Sequence, residues 1–162
     1  MTDLDRARLL ALVVPAALLA GALGSQYIGG LFPCDMCHWQ RWGHYAAVAF
    51  ALLSLLTRSQ TAVSRSLVWL AVAGIAASGA IGVYHAGVEA GIFAGFTKCT
   101  SHATGSGQDL LNSLLNQPFI RCDQVQWSFL GISMAGWNAI ISLGTVILLT
   151  WLLLRRRAAA AA

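Results

Sequence analysis

The four cysteines of the chain fall into two pairs whose spacing indicates thiol–disulfide chemistry. Cys34 and Cys37 form a C-x-x-C motif, whereas 22 residues separate Cys99 from Cys122. A bridge that spans only two residues is strained, and strained bridges exchange more readily than structural ones. Both pairs lie just outside apolar stretches, so the pattern suggests that electrons pass from one dithiol to the other. Purely structural disulfides that brace the chain are the alternative.

Two features of the sequence would favour the thiolate form of Cys37. This residue lies where an apolar helix is predicted to begin, and a helix N-terminus stabilises a negatively charged sulfur. Arg41 follows one turn later on the same face of that helix. An arginine one turn into a membrane span is costly and usually functional. A side chain that extends to the lipid headgroups is the other interpretation of Arg41.

Two histidines raise further possibilities for the site. His85 lies near the end of the third apolar stretch, with Glu89 one turn later; it could relay protons or bind a redox ligand, or be a satisfied interfacial side chain. His38 directly follows Cys37, which completes the short signature of c-type haem attachment. A cytochrome would leave Cys99 and Cys122 unexplained. The cysteine and histidine spacing matches no standard zinc site, so no metal is predicted.

The composition is that of a membrane protein. Hydrophobic residues make up 57% of the 162 residues and charged residues only 10%, with a mean hydropathy of +0.68. Four apolar stretches cover residues 9–28, 38–56, 67–86 and 129–154, and roughly 20 helical residues cross a bilayer. The sequence predicts one all-α domain over residues 1–162, a four-helix transmembrane bundle. Its longer connections on one side are residues 29–37 and 87–128.

The third apolar stretch contains a pattern of small residues. Gly74, Ser78 and Gly82 recur every four residues and therefore share one face of a helix. Small side chains at this spacing allow two helices to approach closely in lipid. The pattern predicts tight packing along this face, with no chemical role for the three residues.

The distribution of basic residues predicts the orientation in the membrane. Seven of the ten lie at the stretch ends on one side, and three lie on the other; the first group is Arg6, Arg8, Arg58, Arg65, Arg155, Arg156 and Arg157, and the second is Arg41, Lys98 and Arg121. By the positive-inside rule both termini are cytoplasmic and both cysteine pairs extracytoplasmic. This asymmetry accounts for the net charge of +4 without nucleic-acid binding. Disulfides persist in the oxidising bacterial periplasm.

Two segments of the chain are distinctive. One is P-C-D-M-C-H-W-Q-R-W, from Pro33 to Trp42. The second is C-D-Q-V-Q-W-S-F-L-G, from Cys122 to Gly131, and Tyr84-His85 precedes Cys99. With these segments the sequence resembles the disulfide bond formation protein B (DsbB) family of the bacterial inner membrane. The resemblance covers nearly the whole chain, including the four apolar stretches and both cysteine-containing segments.

The resemblance implies a thiol:quinone oxidoreductase that reoxidises a periplasmic thioredoxin-fold protein of the DsbA type. The partner would attack the Cys99–Cys122 disulfide at Cys99, and Cys122 would then attack Cys34. Cys37 would pass the electrons to a quinone from the membrane pool, with ubiquinone favoured over menaquinone. Arg41 would bind the quinone, and His85 would correspond more loosely to a histidine near the same site. The resemblance places this multi-pass protein in the inner membrane, with its active cysteines on the periplasmic side.

Overall fold

The computed structural model describes residues 2–95 and 121–159. These residues form four helices and one short hairpin: α1 (Asp3–Tyr27), α2 (Asp35–Leu56), α3 (Thr61–Glu89), β1 (Ser128–Phe129), β2 (Ile132–Ser133) and α4 (Met134–Ala159). Three of the helices, α1, α3 and α4, are long and apolar enough to cross a membrane. The predicted all-α architecture with four helices is confirmed. Cys99 lies outside the described residues.

The four helices pack in a closed arrangement, in which α1 and α3 also make a smaller contact across the bundle. The most extensive contact is between α2 and α3, followed by α3 with α4, while α1 lies against α2 and α4. An apolar core occupies one end of the bundle, where Ala7, Ala51, Val68 and Leu149 are almost completely buried. A separate buried cluster at the other end contains the cysteines. The bundle therefore has an apolar end and a cysteine end.

The contact between α2 and α3 depends on two glycines. A Cβ atom added at Gly43 would lie 2.7 Å from the carbonyl oxygen of Gly74, and one added at Gly74 would lie 2.8 Å from that of Gly43. No larger side chain fits at either position without displacing backbone. The close approach predicted for the small-residue face of α3 is therefore present at Gly74. Gly43, on the facing helix, is its counterpart.

The segment before α4 is a hairpin, although hydropathy predicts that the fourth apolar stretch begins at residue 129. β1 and β2 pair antiparallel, and the turn between them consists of Leu130 and Gly131, with φ of 52° and 78°. Two successive residues with positive φ form the tight turns that suit hairpins. The helix therefore starts only at Met134. Hydropathy alone does not separate these apolar hairpin residues from the helix that follows.

The apolar end of the bundle is closed by an ionic cluster. Arg8 is 4% exposed; its guanidinium donates to Asp5 Oδ1 and to Ser64 Oγ, each at 2.8 Å. Ser64 in turn donates to the carbonyl of Ser54, at 2.7 Å, which connects α3 with α2. Buried charges are tolerated when they are paired in this way. The first turn of α1 is thus fixed to the rest of the bundle.

Candidate functional site

The C-x-x-C pair lies at the start of α2. Cys34 is the N-cap residue and Cys37 belongs to the first turn, both before the apolar stretch that begins at His38. Their sulfur atoms are 3.2 Å apart, a hydrogen-bond distance that is longer than the roughly 2.05 Å of a disulfide. The pair is therefore present as a dithiol in which the Cys34 thiol donates to the sulfur of Cys37.

The two thiols differ in acidity. The hydrogen bond from Cys34 lowers the pKa of Cys37, and the positive charge of Arg41 acts in the same direction against the effect of burial. The same hydrogen bond, together with burial, raises the pKa of Cys34 well above its ordinary range. Charge on this dithiol consequently resides on Cys37. Arg41, which sequence spacing places on the same face of α2, is one of the causes of the lowered pKa, and the hydrogen bond from Cys34 is the largest.

A third cysteine joins the pair. Cys122 is 5% exposed and belongs to the same buried cluster as Cys34, Met36 and Val88. A hydrogen bond between Cys122 and the Cys34 thiol also contributes to the raised pKa of Cys34. The structure thus brings together three of the four predicted catalytic cysteines and places Cys122 beside Cys34. The fourth, Cys99, lies outside the described residues.

Arg41 is held inside the bundle and does not extend to the surface. Arg41 is only 7% exposed. Its guanidinium donates to the side chain of Gln26 and, at 3.0 Å, to the main-chain carbonyl of Ala22. Both acceptors belong to α1. The headgroup-seeking alternative for this arginine therefore does not describe the structure. Arg41 is fixed one turn beyond Cys37, on the same side of α2.

His85 lies directly against the C-x-x-C pair. Its Nε2 atom is 3.6 Å from the sulfur of Cys34 and 3.7 Å from a carboxylate oxygen of Glu89. Its Nδ1 atom is 2.9 Å from the amide nitrogen of Gln40. A Gln40 amide that donates to Nδ1 leaves the hydrogen of the neutral ring on Nε2. His85 then presents that N–H to the thiol of Cys34.

A buried polar network continues from Gln40 into the middle of the bundle. The amide of Asn138, on α4, donates to Gln40 Oε1 at 2.8 Å. The side-chain oxygen of Asn138 is 2.8 Å from Nε2 of His44 and accepts from Ser142 at 3.1 Å. Ser78 on α3 lies 2.9 Å from the same nitrogen of His44. Side chains from three helices thereby connect to His85 and the cysteines.

The sequence pattern does not predict this network. It indicates no role for Gln40, His44 or Asn138, and it marks Ser78 only as a small packing residue. The signal that could have found His44 is its spacing, since it lies seven residues after Cys37 on the helical face that carries Arg41. No comparable signal exists for Asn138, which is 94 positions away from His44.

A cavity of about 600 Å³ adjoins these residues. Its walls are largely apolar, with contributions from α1, α4 and the segment after α1; the polar side chains that line it include Cys34, Cys37, Gln40, Arg41, His44, His85, Glu89 and Asn138. Among the described residues, two buried side-chain atoms have no hydrogen-bond partner, and both belong to residues of this wall: Arg41 Nε and His44 Nδ1. An apolar cavity with a few directed polar groups is typical of a small-molecule site. The donor nitrogen of Arg41 suits a carbonyl oxygen, so the wall fits a quinone ring.

The same end of the bundle contains potential metal ligands. The sulfur atoms of Cys34 and Cys37 and a ring nitrogen of His85 all lie within 4.8 Å of one another. Thiolate and imidazole are ligands for soft or borderline cations such as Zn²⁺. Three ligands beside an open cavity would leave a fourth position for another group. The prediction that the chain uses no metal stays a prediction.

Comparisons with known proteins identify relatives along nearly the whole chain. The family profile described as "Disulfide bond formation protein DsbB" matches residues 5–152. A disulfide bond formation protein B from Acidovorax sp. (strain JS42) is 29% identical over 161 residues, covering 91% of this chain and 87% of the relative. Another protein of that name, from Verminephrobacter eiseniae (strain EF01-2), is 33% identical over 147 residues, covering 81% and 76%. No solved structure matches significantly.

Proposed function

This chain belongs to the DsbB family of disulfide bond formation proteins, and we propose that it is a thiol:quinone oxidoreductase that reoxidises a DsbA-like periplasmic protein. Its membrane-capable helices and its family make it a multi-pass membrane protein. The observation that carries the proposal is the grouping of Cys34, Cys37 and Cys122 beside a cavity that contains Arg41 and His85. The proposal includes the inner membrane as location and the periplasm as the side of the cysteines.

The first half of the reaction is disulfide exchange. The reduced partner attacks the Cys99–Cys122 disulfide at Cys99 and leaves with its own disulfide formed, so that two electrons and two protons enter this pair. Cys122 then attacks Cys34 and breaks the Cys34–Cys37 bond, which leaves a Cys34–Cys122 mixed disulfide and Cys37 as the thiolate. The thiolate of Cys99 next attacks Cys122, releases Cys34 and regenerates the Cys99–Cys122 disulfide. The burial of Cys122 against Cys34 supports this step, because exchange requires the two sulfurs to meet.

The second half of the reaction oxidises the Cys34–Cys37 dithiol. A bound quinone supplies an acceptor for two electrons and two protons. Cys37 carries the negative charge, Arg41 would donate to the ring oxygen, and Cys34 gives up its proton as the disulfide re-forms. The second proton comes from the solvent, because Cys37 enters this step already ionised. His85 presents its Nε2–H to the sulfur of Cys34 and is placed to stabilise that sulfur as its proton leaves. The acceptor must exceed the potential of DsbA, which is about −120 mV, and we propose ubiquinone in preference to menaquinone.

An absorbance assay tests the proposal. The purified protein in detergent is mixed with a reduced DsbA-type protein and a soluble ubiquinone analogue, and the loss of oxidised-quinone absorbance is followed. We expect turnover that requires the partner's thiols. Replacing any one of the four cysteines by Ser should abolish turnover. Arg41→Met should raise the KM for quinone by about tenfold, the effect of losing one charge-assisted hydrogen bond.

The controls separate the proposal from its alternatives. Full quinone reduction by the Cys34→Ser variant with the reduced partner would contradict the relay. A haemochrome spectrum from the denatured protein would instead identify covalent haem at the C-x-x-C-H sequence. A protein whose reduced cysteines are not reoxidised by added quinone would have disulfides that only brace the fold.

A further inference from the structure

His44 has a buried ring nitrogen with no partner in the described part of the protein. The residue is 3% exposed and Arg41 is 7% exposed; both line the cavity, and the unpartnered atoms are His44 Nδ1 and Arg41 Nε. Buried polar atoms are normally hydrogen-bonded, so each exception requires an explanation. Two such atoms on residues that line one cavity are best explained by a ligand that supplies both missing partners.

The surroundings of Asn138 determine which nitrogen of His44 carries a hydrogen. The side-chain nitrogen of Asn138 lies 3.3 Å from the main-chain carbonyl of Ser78, and a carbonyl can only accept. This contact fixes the amide so that its oxygen faces Nε2 of His44, at 2.8 Å. Nε2 must therefore donate. In the neutral ring Nδ1 is then a hydrogen-bond acceptor.

The two unpartnered atoms are complementary in kind, and their residues are close along α2. Arg41 Nε can only donate, whereas His44 Nδ1 accepts. The two residues are three positions apart on α2, about 4.5 Å along the helix axis, and Cys37 lies one turn before Arg41. A ligand that satisfies both atoms needs an oxygen that accepts and a hydroxyl that donates. The two carbonyl oxygens of an oxidised quinone only accept, so they can bond to Arg41 Nε but not to His44 Nδ1. A hydroquinone has hydroxyl groups that donate as well as accept, so it can bond to both atoms.

We propose that His44 is a ligand-binding residue that recognises the reduced ring: its Nδ1 atom accepts a hydrogen bond from a hydroxyl of the hydroquinone, while Arg41 Nε donates to the other ring oxygen. Asn138 acts as a positioning residue that holds His44 in the accepting tautomer. This inference rests on the proposed function, since it names the atoms by which the same cavity distinguishes the two redox forms of its substrate.

The test is a binding measurement in which no electron transfer can occur. In a Cys34→Ser, Cys37→Ser protein, a soluble ubiquinone analogue and its hydroquinone are titrated separately, and binding is followed by quenching of tryptophan fluorescence. Trp127 and Trp137 line the cavity. Each titration gives a Kd, and the ratio of the two Kd values measures the discrimination between the redox forms.

The informative substitution is His44→Gln. The glutamine amide can occupy the position of Nε2 and keep the contact with Asn138, but it has no atom at the position of Nδ1. We expect hydroquinone affinity to fall about tenfold, the equivalent of ~1.4 kcal/mol, with a much smaller change for the quinone. An unchanged Kd ratio, whether both affinities persist or both fall equally, would overturn the assignment.

Asn138→Leu provides a second test with an intact histidine. Without the amide oxygen, His44 is free to place its hydrogen on Nδ1, which then donates to a quinone carbonyl. The Kd ratio should shift toward the quinone, as in His44→Gln; a role of Asn138 in packing alone would weaken both forms equally and would contradict the proposal. Thermal unfolding of each variant establishes that it is folded before titration.

These outcomes separate the His44 assignment from the function on which it rests. If the four-cysteine protein reduces quinone and His44→Gln leaves the Kd ratio unchanged, only the assignment fails. If the double-serine protein binds neither redox form and the four-cysteine protein reduces no quinone, the His44 assignment and the proposed function both fail.

Discussion

The thiol of Cys34 donates a hydrogen bond to the sulfur of Cys37 across 3.2 Å, and this contact makes two chemically identical side chains unequal. Cys34 is stabilised as the neutral donor and Cys37 as the charged acceptor. The consequence at the scale of single residues is a division of labour within the dithiol. Cys37, which lines the cavity with Arg41, is the more acidic thiol, and Cys34 is the less acidic one and contacts Cys122 and His85.

Cys34 lowers the pKa of Cys37 more than Arg41 does, and this order predicts how each substitution changes the pH at which Cys37 ionises. A lowered pKa means that the thiolate forms at lower pH than in an ordinary cysteine. Cys34→Ala removes the largest cause and should move the midpoint of Cys37 ionisation to higher pH. Arg41→Met removes a smaller cause and should move it in the same direction by less. Thiolate ultraviolet absorbance of the reduced protein, in a Cys99→Ser, Cys122→Ser background, measures both midpoints.

The parent protein in that background is the reference for these titrations. A midpoint that stays in place when Cys34 is removed would show that the hydrogen bond does not determine the acidity of Cys37. A larger shift for Arg41→Met than for Cys34→Ala would reverse the order of the two causes.

At the scale of helices, the position of α2 against α3 determines the position of the site. α2 carries the cysteine pair, Arg41 and His44, whereas α3 carries His85 and Ser78. The backbones meet at Gly43 and Gly74, which lie between the cysteine end and the apolar end of the bundle. Because Gly43 is two residues from Arg41 and one from His44, any separation of the helices here would also displace the polar network.

Substituting either of these glycines should therefore destabilise the protein. In Gly43→Ala or Gly74→Ala the new methyl group would lie within 2.8 Å of a carbonyl oxygen on the facing helix, and overpacking of this kind costs roughly 1–3 kcal/mol. The matched control is Gly144→Ala on α4, where an added Cβ has nothing within 4 Å and helix propensity favours alanine. Thermal unfolding in detergent should show a lower midpoint for the first two variants and no loss for the third.

If Gly74→Ala unfolds at the same temperature as the parent, the contact between α2 and α3 is more adaptable than its geometry indicates. Loss of stability in Gly144→Ala as well would point to a general effect of adding a methyl group to these helices.

At the scale of the whole molecule, the sequence predicts features that depend on local pattern and misses those that depend on distant pairing. Hydropathy predicts four helices, and helical spacing predicts that Arg41 follows Cys37 on one face. The partners of His44 come from residues 34 and 94 positions away, and no local pattern brings Ser78 or Asn138 to it. Nor does hydropathy reveal the turn at Leu130 and Gly131, because backbone conformation and not polarity keeps the helix from starting before Met134.

The arrangement of the whole molecule also predicts which disulfide forms when the relay is interrupted. Cys122 comes from the segment before the hairpin and Cys34 from the start of α2, yet both are buried in one cluster. In a Cys37→Ser, Cys99→Ser protein these two thiols are the remaining pair, and mild oxidation should join them into one disulfide, detected by mass spectrometry of the digested protein. Cys34→Ser with Cys99→Ser is the matched control. It retains Cys37 and Cys122, and it should cross-link more slowly because Cys122 lies against the sulfur of Cys34. Equal rates in the two proteins would mean that Cys122 has no preferred partner, and the proposed order of exchange would then lose its structural basis.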